Sequence, residues 1–206
     1  MSNNPPAPKD LFGENGLRYI ARVTASMSHE MKNVLAIINE NNGLLEDLSF
    51  AAKRGKPIEQ EKIDRTCSQV AKQIARADTI LKTMSRFAHS FDHPEAPVDL
   101  HDLCQLVTTL AGRIASLRKV TLEVTAPPQP LTLARHPFQL QRLLWRCLEL
   151  AIPATSEGRT LTLTPQAEAI LIEGFDGLES LGTLSGELPV TISGEGAGRQ
   201  LTLHLA

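Results

Sequence analysis

Between Leu17 and Leu48 apolar side chains recur at heptad spacing, on Leu17, Ile20, Thr24, Met27, Met31, Val34, Ile38, Asn41, Leu45 and Leu48, with only Thr24 and Asn41 polar. That period predicts a long amphipathic helix. "KRGKP" at 53–57 stops it, because Gly55 suits a helix end and Pro57 the first turn of the next helix. A second ladder then runs through Ile63, Cys67, Val70, Ile74, Ala77, Leu81, Met84, Ala88 and Phe91, up to the prolines of "DHPEAP". The two helices form an antiparallel hairpin. One hairpin has too little interior to hide two stripes of this length, so the pattern predicts a four-helix bundle built from two chains, a homodimer.

After Pro97 the period changes. Residues 98–119 and 136–152 keep helical spacing, whereas "VTLEVT", "TLTLT", "AILIE", "PVTIS" and "QLTLHL" alternate as strands between turns rich in Gly, Pro, Ser and Glu. The predicted class is α+β, a helical hairpin followed by a small α/β sandwich with one sheet face covered. The expected organisation is a disordered tail at 1–13, a hairpin domain at 14–93 and a sandwich at 98–206, with the proline-rich 92–97 between them.

Composition narrows the function. The 21 basic and 23 acidic residues nearly cancel, and one Trp and one Tyr offer little surface for stacking bases, so nucleic acid is not an expected partner. No apolar run approaches the ~20 residues of a membrane span, and "MSNNPPAPKD" lacks the order of a secretory signal, which gives a cytoplasmic expectation. Cys67, Cys104 and Cys147 are odd in number and far apart among apolar neighbours, so buried, reduced thiols are expected. His89 and His93 have the spacing of helical metal ligands, but no third ligand accompanies them, and His101, His136 and His204 are scattered; no metal site is expected.

"SMSHEMKN" at 26–33 carries the candidate chemistry. With Leu17 at heptad position a, His29 falls at f, pointing away from the seam, with Ala25 and Asn33 four residues to either side and Ser26 and Lys32 at three. A neutral imidazole is a competent nucleophile near neutral pH, and phosphoryl transfer requires chiefly a positioned nucleophile and charge stabilisation. Glu30 is placed to take the hydrogen of one ring nitrogen and Lys32 to meet phosphate oxygens. By spacing alone, though, a surface histidine among charged residues reads as an ordinary solvated face.

The longer stretch "SMSHEMKNVLAIINENNGLLEDL" resembles the H-box of sensor histidine kinases. The resemblance implies that His29 is the phosphoacceptor, that Glu30 assists it, and that Asn33 helps remove phosphate from a partner's aspartate. Val34 stands where many relatives have proline, which takes away a helix kink. The likeness continues through "ADTILKTMSRFAHSF" and, in the order of elements, into a histidine-kinase-type ATP-binding domain. There the nucleotide residues depart from the family. The two asparagines of the N-box fall on Arg146 and Leu150, and an apolar side chain cannot hold Mg²⁺. "EGFDGLESL" keeps Asp176 and Gly177 without the spacing of the adenine-reading motif, the lid is missing, and "GEGAG" at 194–198 lies between strands as a turn.

A histidine-bearing bundle with a degenerate sandwich resembles the dimeric histidine phosphotransferases of phosphorelays. The resemblance implies phosphoryl exchange with response-regulator receiver domains, no ATP, and Mg²⁺ supplied by the receiver. The receiver is expected on the His29 face, edged by Arg22, Ala25, Ser26, Lys32 and Asn33. Rival readings are a kinase with a divergent nucleotide site that uses Arg142 and Arg146 for phosphates, a non-catalytic docking pseudokinase, and a receiver phosphatase using Asn33.

Overall fold

The computed structural model describes residues 13–176, 188–193 and 200–205. The expected tail before Gly13, the segment 177–187 with Gly177, and the "GEGAG" turn lie outside the described residues. Two long helices come first, α1 (Glu14–Lys53) and α2 (Gln60–His89). Gly55, at φ +78°, closes α1, its amide donating to Ala52 O at 2.9 Å and that of Lys56 to Ala51 O at 3.1 Å. The second helix starts three residues beyond Pro57, because 56–59 stay extended.

The chain divides into two compact units, Thr24–Arg86 and a second made of the residues up to Val23 together with those from Phe87 onward. In the first unit the helices run antiparallel, with Glu30 facing Arg76. The seam differs from the heptad assignment in an informative way. On α1 the chain itself buries positions d and g, with Val23, Met27 and Val34 closed off, while Thr24 at position a is exposed. On α2 the buried line passes through Thr66, Ile80 and Phe87, not through Cys67, Ile74, Leu81, Met84 and Ala88, which are all exposed. An amphipathic ladder read from one strand of sequence gives the apolar arc but not which edge of the arc a given neighbour covers. The expectation of three buried cysteines fails at Cys67 for that reason; Cys104 and Cys147 are buried, and burial pushes each thiol up to about 12.

In the second unit, β1 (Ala96–Asp99) leads directly into α3 (Leu100–Leu117), followed by β2 (Thr121–Val124), β3 (Thr132–Arg135), α4 (Pro137–Ala151), β4 (Thr160–Gln166), β5 (Ala169–Glu173), β6 (Val190–Ser193) and β7 (Gln200–His204). The main sheet has the order β2-β4-β5-β7-β6, with β2 parallel to β4 and every other pair antiparallel. Alternation along β4 and β7 puts Leu161, Leu163, Leu201 and Leu203 on the face covered by α3 and α4, whose Leu103, Val107, Leu144 and Leu148 complete the core. Asp99 caps α3 by accepting from the Asp102 amide at 3.0 Å, and Pro137 opens α4. β1 and β3 pair antiparallel, Ala96 opposite Arg135, in a two-stranded ribbon outside the main sheet. Its first strand takes in Ala96 and Pro97 from the segment that reads as a linker; four residues containing a proline give no periodic signal, and only the pairing with β3 defines them.

Gly174 is dictated by packing. It follows β5 at φ +103°, and a Cβ there would stand 2.1 Å from Thr160 O. No helix among the described residues is long and apolar enough to cross a membrane.

Candidate functional site

His29 lies in the middle of α1 with its ring exposed. A forty-residue helix with intact backbone bonding gives it a stiff mount, and buried Met27 and Val34 on the opposite side hold that mount against α2. Lys32 and Asn33, one turn further, are also exposed, and none of these three side chains has a hydrogen-bond or ionic partner among the described residues. His29, Ala25 and Asn33 therefore form one open strip at four-residue spacing.

The other candidates sort differently. Glu30 is half-buried, and its Oε2 lies 3.6 Å from Arg76 Nη2 on α2. The acid beside the histidine is thus turned toward the neighbouring helix, a pairing that no spacing in the sequence announces because it depends on how the helices register. Ser26 does not stand at the edge of the strip as expected: its Oγ is buried and has no partner among the described residues. Arg22 belongs to the other compact unit and is engaged in an ion pair with Glu149 of α4, so the structure does not leave it as a free docking cation.

The positions where the resemblance places nucleotide ligands are occupied otherwise. Arg146 donates from Nη1 to Glu149 Oε2 at 2.8 Å, and Leu150 presents only carbon at the second N-box position. Asp176, at the end of β5, accepts from the Ser156 amide at 2.8 Å and pairs with Arg159. The Ser156 amide and hydroxyl, and then the Arg159 charge, hold its carboxyl below the usual aspartate range. A carboxylate pinned by a backbone amide and a guanidinium serves to fasten β5 to the loop after α4, and has few lone pairs left for a base edge. Among the described residues no group of three or more His, Cys, Asp or Glu side chains could hold a metal ion.

Sequence reasoning missed Tyr19. It sits at heptad position c, outside the predicted ladder, yet it is 2% exposed and its ring meets Phe87, Phe138 and Trp145 at centroid distances of 5.6, 5.7 and 5.2 Å. With Phe91 stacked on Phe138 at 4.2 Å, this cluster joins the first turns of α1 and the last turns of α2 to α4. The signal present was the gathering of the chain's few aromatic residues near three helix ends; the contact itself needs the fold.

No family model matches the chain. It is 28% identical to the sensor protein CreC of Escherichia coli K12 over 188 residues, 82% of this chain and 37% of CreC, so it spans well under half the length of that relative. The cytoplasmic segment of histidine kinase QseC overlaps 65% of this chain and 94% of its own at 19% identity and a TM-score of 0.43. A bacterial phosphotransferase overlaps 90% of this chain and 95% of its own at 12% identity and a TM-score of 0.44. In its sequence likeness to a sensor protein and in its helical hairpin followed by an α/β sheet domain, the chain is histidine-kinase-like.

Proposed function

We propose that the chain is a histidine phosphotransferase of a two-component phosphorelay, moving phosphoryl groups between His29 and receiver-domain aspartates without binding ATP. The observation that carries this reading is a contrast within one molecule. His29 is exposed and unpartnered among the described residues, while Arg146 and Asp176 are bonded within the chain and Leu150 offers only carbon.

In the forward step a ring nitrogen of His29 attacks the phosphorus of the receiver's aspartyl phosphate. The N–P bond forms, the bond from phosphorus to the carboxylate oxygen breaks, and the carboxylate leaves with the electron pair. The proton on the other ring nitrogen passes to water, or to Glu30 once its carboxylate turns from Arg76. Lys32, one turn along, offsets phosphoryl charge at the edge of the strip. Mg²⁺ would be held by the receiver's own acidic residues. Asn33, exposed and one turn from His29, also supports a receiver phosphatase activity, by orienting water toward the aspartyl phosphate.

The functional unit in this reading is a homodimer. Leu35, Ile74, Leu81 and Met84 are about half exposed on the isolated hairpin, an apolar surface of the kind that a second copy covers in a four-helix bundle.

The test is to incubate the chain with a receiver carrying radiolabelled phosphate. Label should appear on wild type and not on His29→Gln; no label on wild type would reduce the chain to a docking module. Calorimetry with ATP and Mg²⁺ should show no binding, and micromolar affinity would make it a kinase with a divergent site.

A further inference from the structure

The second unit contains a cavity of about 260 Å³ that neither the His29 chemistry nor the packing of the fold uses. It lies between the first turns of α1 and the outer side of α4, and Arg18, Tyr19, Arg142, Trp145, Arg146 and Glu149 line it. Three guanidinium groups line it: Arg18 is paired with Glu14 at 2.8 Å and Arg146 with Glu149 at 2.8 Å, which leaves the charge of Arg142 uncompensated among the described residues. The carboxylate is already neutralised, since Glu149 is paired with both Arg22 and Arg146.

Two features of the lining are costly unless something occupies it. Arg142 and Arg146 stand one helical turn apart, a like-charge spacing that weakens a helix. Arg142 forms no ion pair among the described residues, and its buried Nε has no partner there. Tyr19 is 2% exposed, and its hydroxyl likewise has no partner among the described residues. A buried hydroxyl left unsatisfied is expensive, whereas the ring around it is well packed. Desolvation drives the Tyr19 phenol above its ordinary range, so the group remains a donor at neutral pH. The lining thus offers donors in excess of acceptors, on side chains of two helices held together by the aromatic cluster.

We infer that this cavity is a binding site for a small phosphate-class oxyanion, inorganic phosphate or the phosphate end of a small monoester, held by Arg142 and the Tyr19 hydroxyl, with the already paired Arg18 and Arg146 beside it. A guanidinium fork matches two phosphate oxygens, and a tetrahedral anion keeps a further oxygen for the phenol. The volume is below the roughly 300–1,000 Å³ of drug-sized ligand sites, so the occupant is small. Because the site joins the base of α1 to α4, an anion there fastens the start of the phosphotransfer helix to the sheet unit. The inference stands apart from the role of His29, and either can fail without the other.

The experiment is thermal unfolding of the full chain in inorganic phosphate, in glycerol 3-phosphate and in chloride at matched ionic strength. Wild type should gain about 3 °C over chloride at tenfold saturation. A gain in both anions assigns a general phosphate site, and a gain in only one assigns that source. Arg142→Ala should lose the gain, and Tyr19→Phe, which keeps the ring, should lose part of it while melting no lower than wild type in chloride. No gain over chloride in wild type, or an equal gain in wild type and both variants, would overturn the site.

Discussion

Helices α1 and α4 each carry a polar pair about one turn apart, His29 and Asn33 on the first and Arg146 and Glu149 on the second, and they dispose of these pairs in opposite ways. On α1, His29 and Asn33 are exposed and have no partner among the described residues. On α4, Arg146 is bonded to Glu149, which is itself bonded to Arg22. Asp176 in the same unit is tied to Ser156 and Arg159. Side chains paired within the chain belong to its architecture, because exchanging those partners for a ligand returns little free energy. Side chains that a stiff helix presents unpaired are available for chemistry with another molecule. In the proposed function, this contrast is what distinguishes a phosphoryl carrier from a nucleotide enzyme.

The sharpest way to break this comparison is His29→Gln. It should reduce acquisition of label from a phosphorylated receiver on the order of a thousandfold or more, the scale for loss of a nucleophile, and leave the urea midpoint unchanged because the residue is exposed. Next comes the apolar face of the hairpin: Leu81→Asp should halve the mass found by sedimentation equilibrium, since a charge would have to be buried in the proposed bundle, and an unchanged mass would remove the dimer.

Stability should follow the opposite geography. Leu148→Ala, fully buried between α4 and the sheet, should cost about 3 kcal/mol in urea titration, whereas Leu35→Ala on the exposed hairpin face should stay within about 0.5 kcal/mol for the isolated chain. Gly174→Ala should cost about 2 kcal/mol or more, from a positive φ and the clash with Thr160 O.

The smallest effect concerns pH. The Asp176 carboxyl titrates lower in the folded chain than the ~3.9 of an unfolded aspartate. Its pairing therefore contributes stability above that unfolded value and loses it as pH falls through the folded one. The stability lead of wild type over Asp176→Asn should be fully present at about pH 6 and shrink toward about pH 3, followed by thermal midpoint; a constant difference would mean that Asp176 acts through shape alone.

Much of this was legible in the sequence because it is local. Heptad spacing is a property of one helix, so the long α1 and α2, the stop at Gly55 and the outward position of His29 follow from periodicity and helix-end chemistry. Alternation along β4, β5 and β7 is local in the same sense. Which edge of each apolar arc is covered is not local. Only packing decided that d and g positions close the chain's own hairpin, leaving Cys67, Ile74 and Leu81 outside, and only pairing turned 96–99 into a strand. The partners of Glu30, Arg22 and Asp176 and the cavity beside Tyr19 come from segments distant in the chain, which only the folded structure brings together. Periodicity records what a segment wants to bury; the rest of the molecule decides what it is buried against.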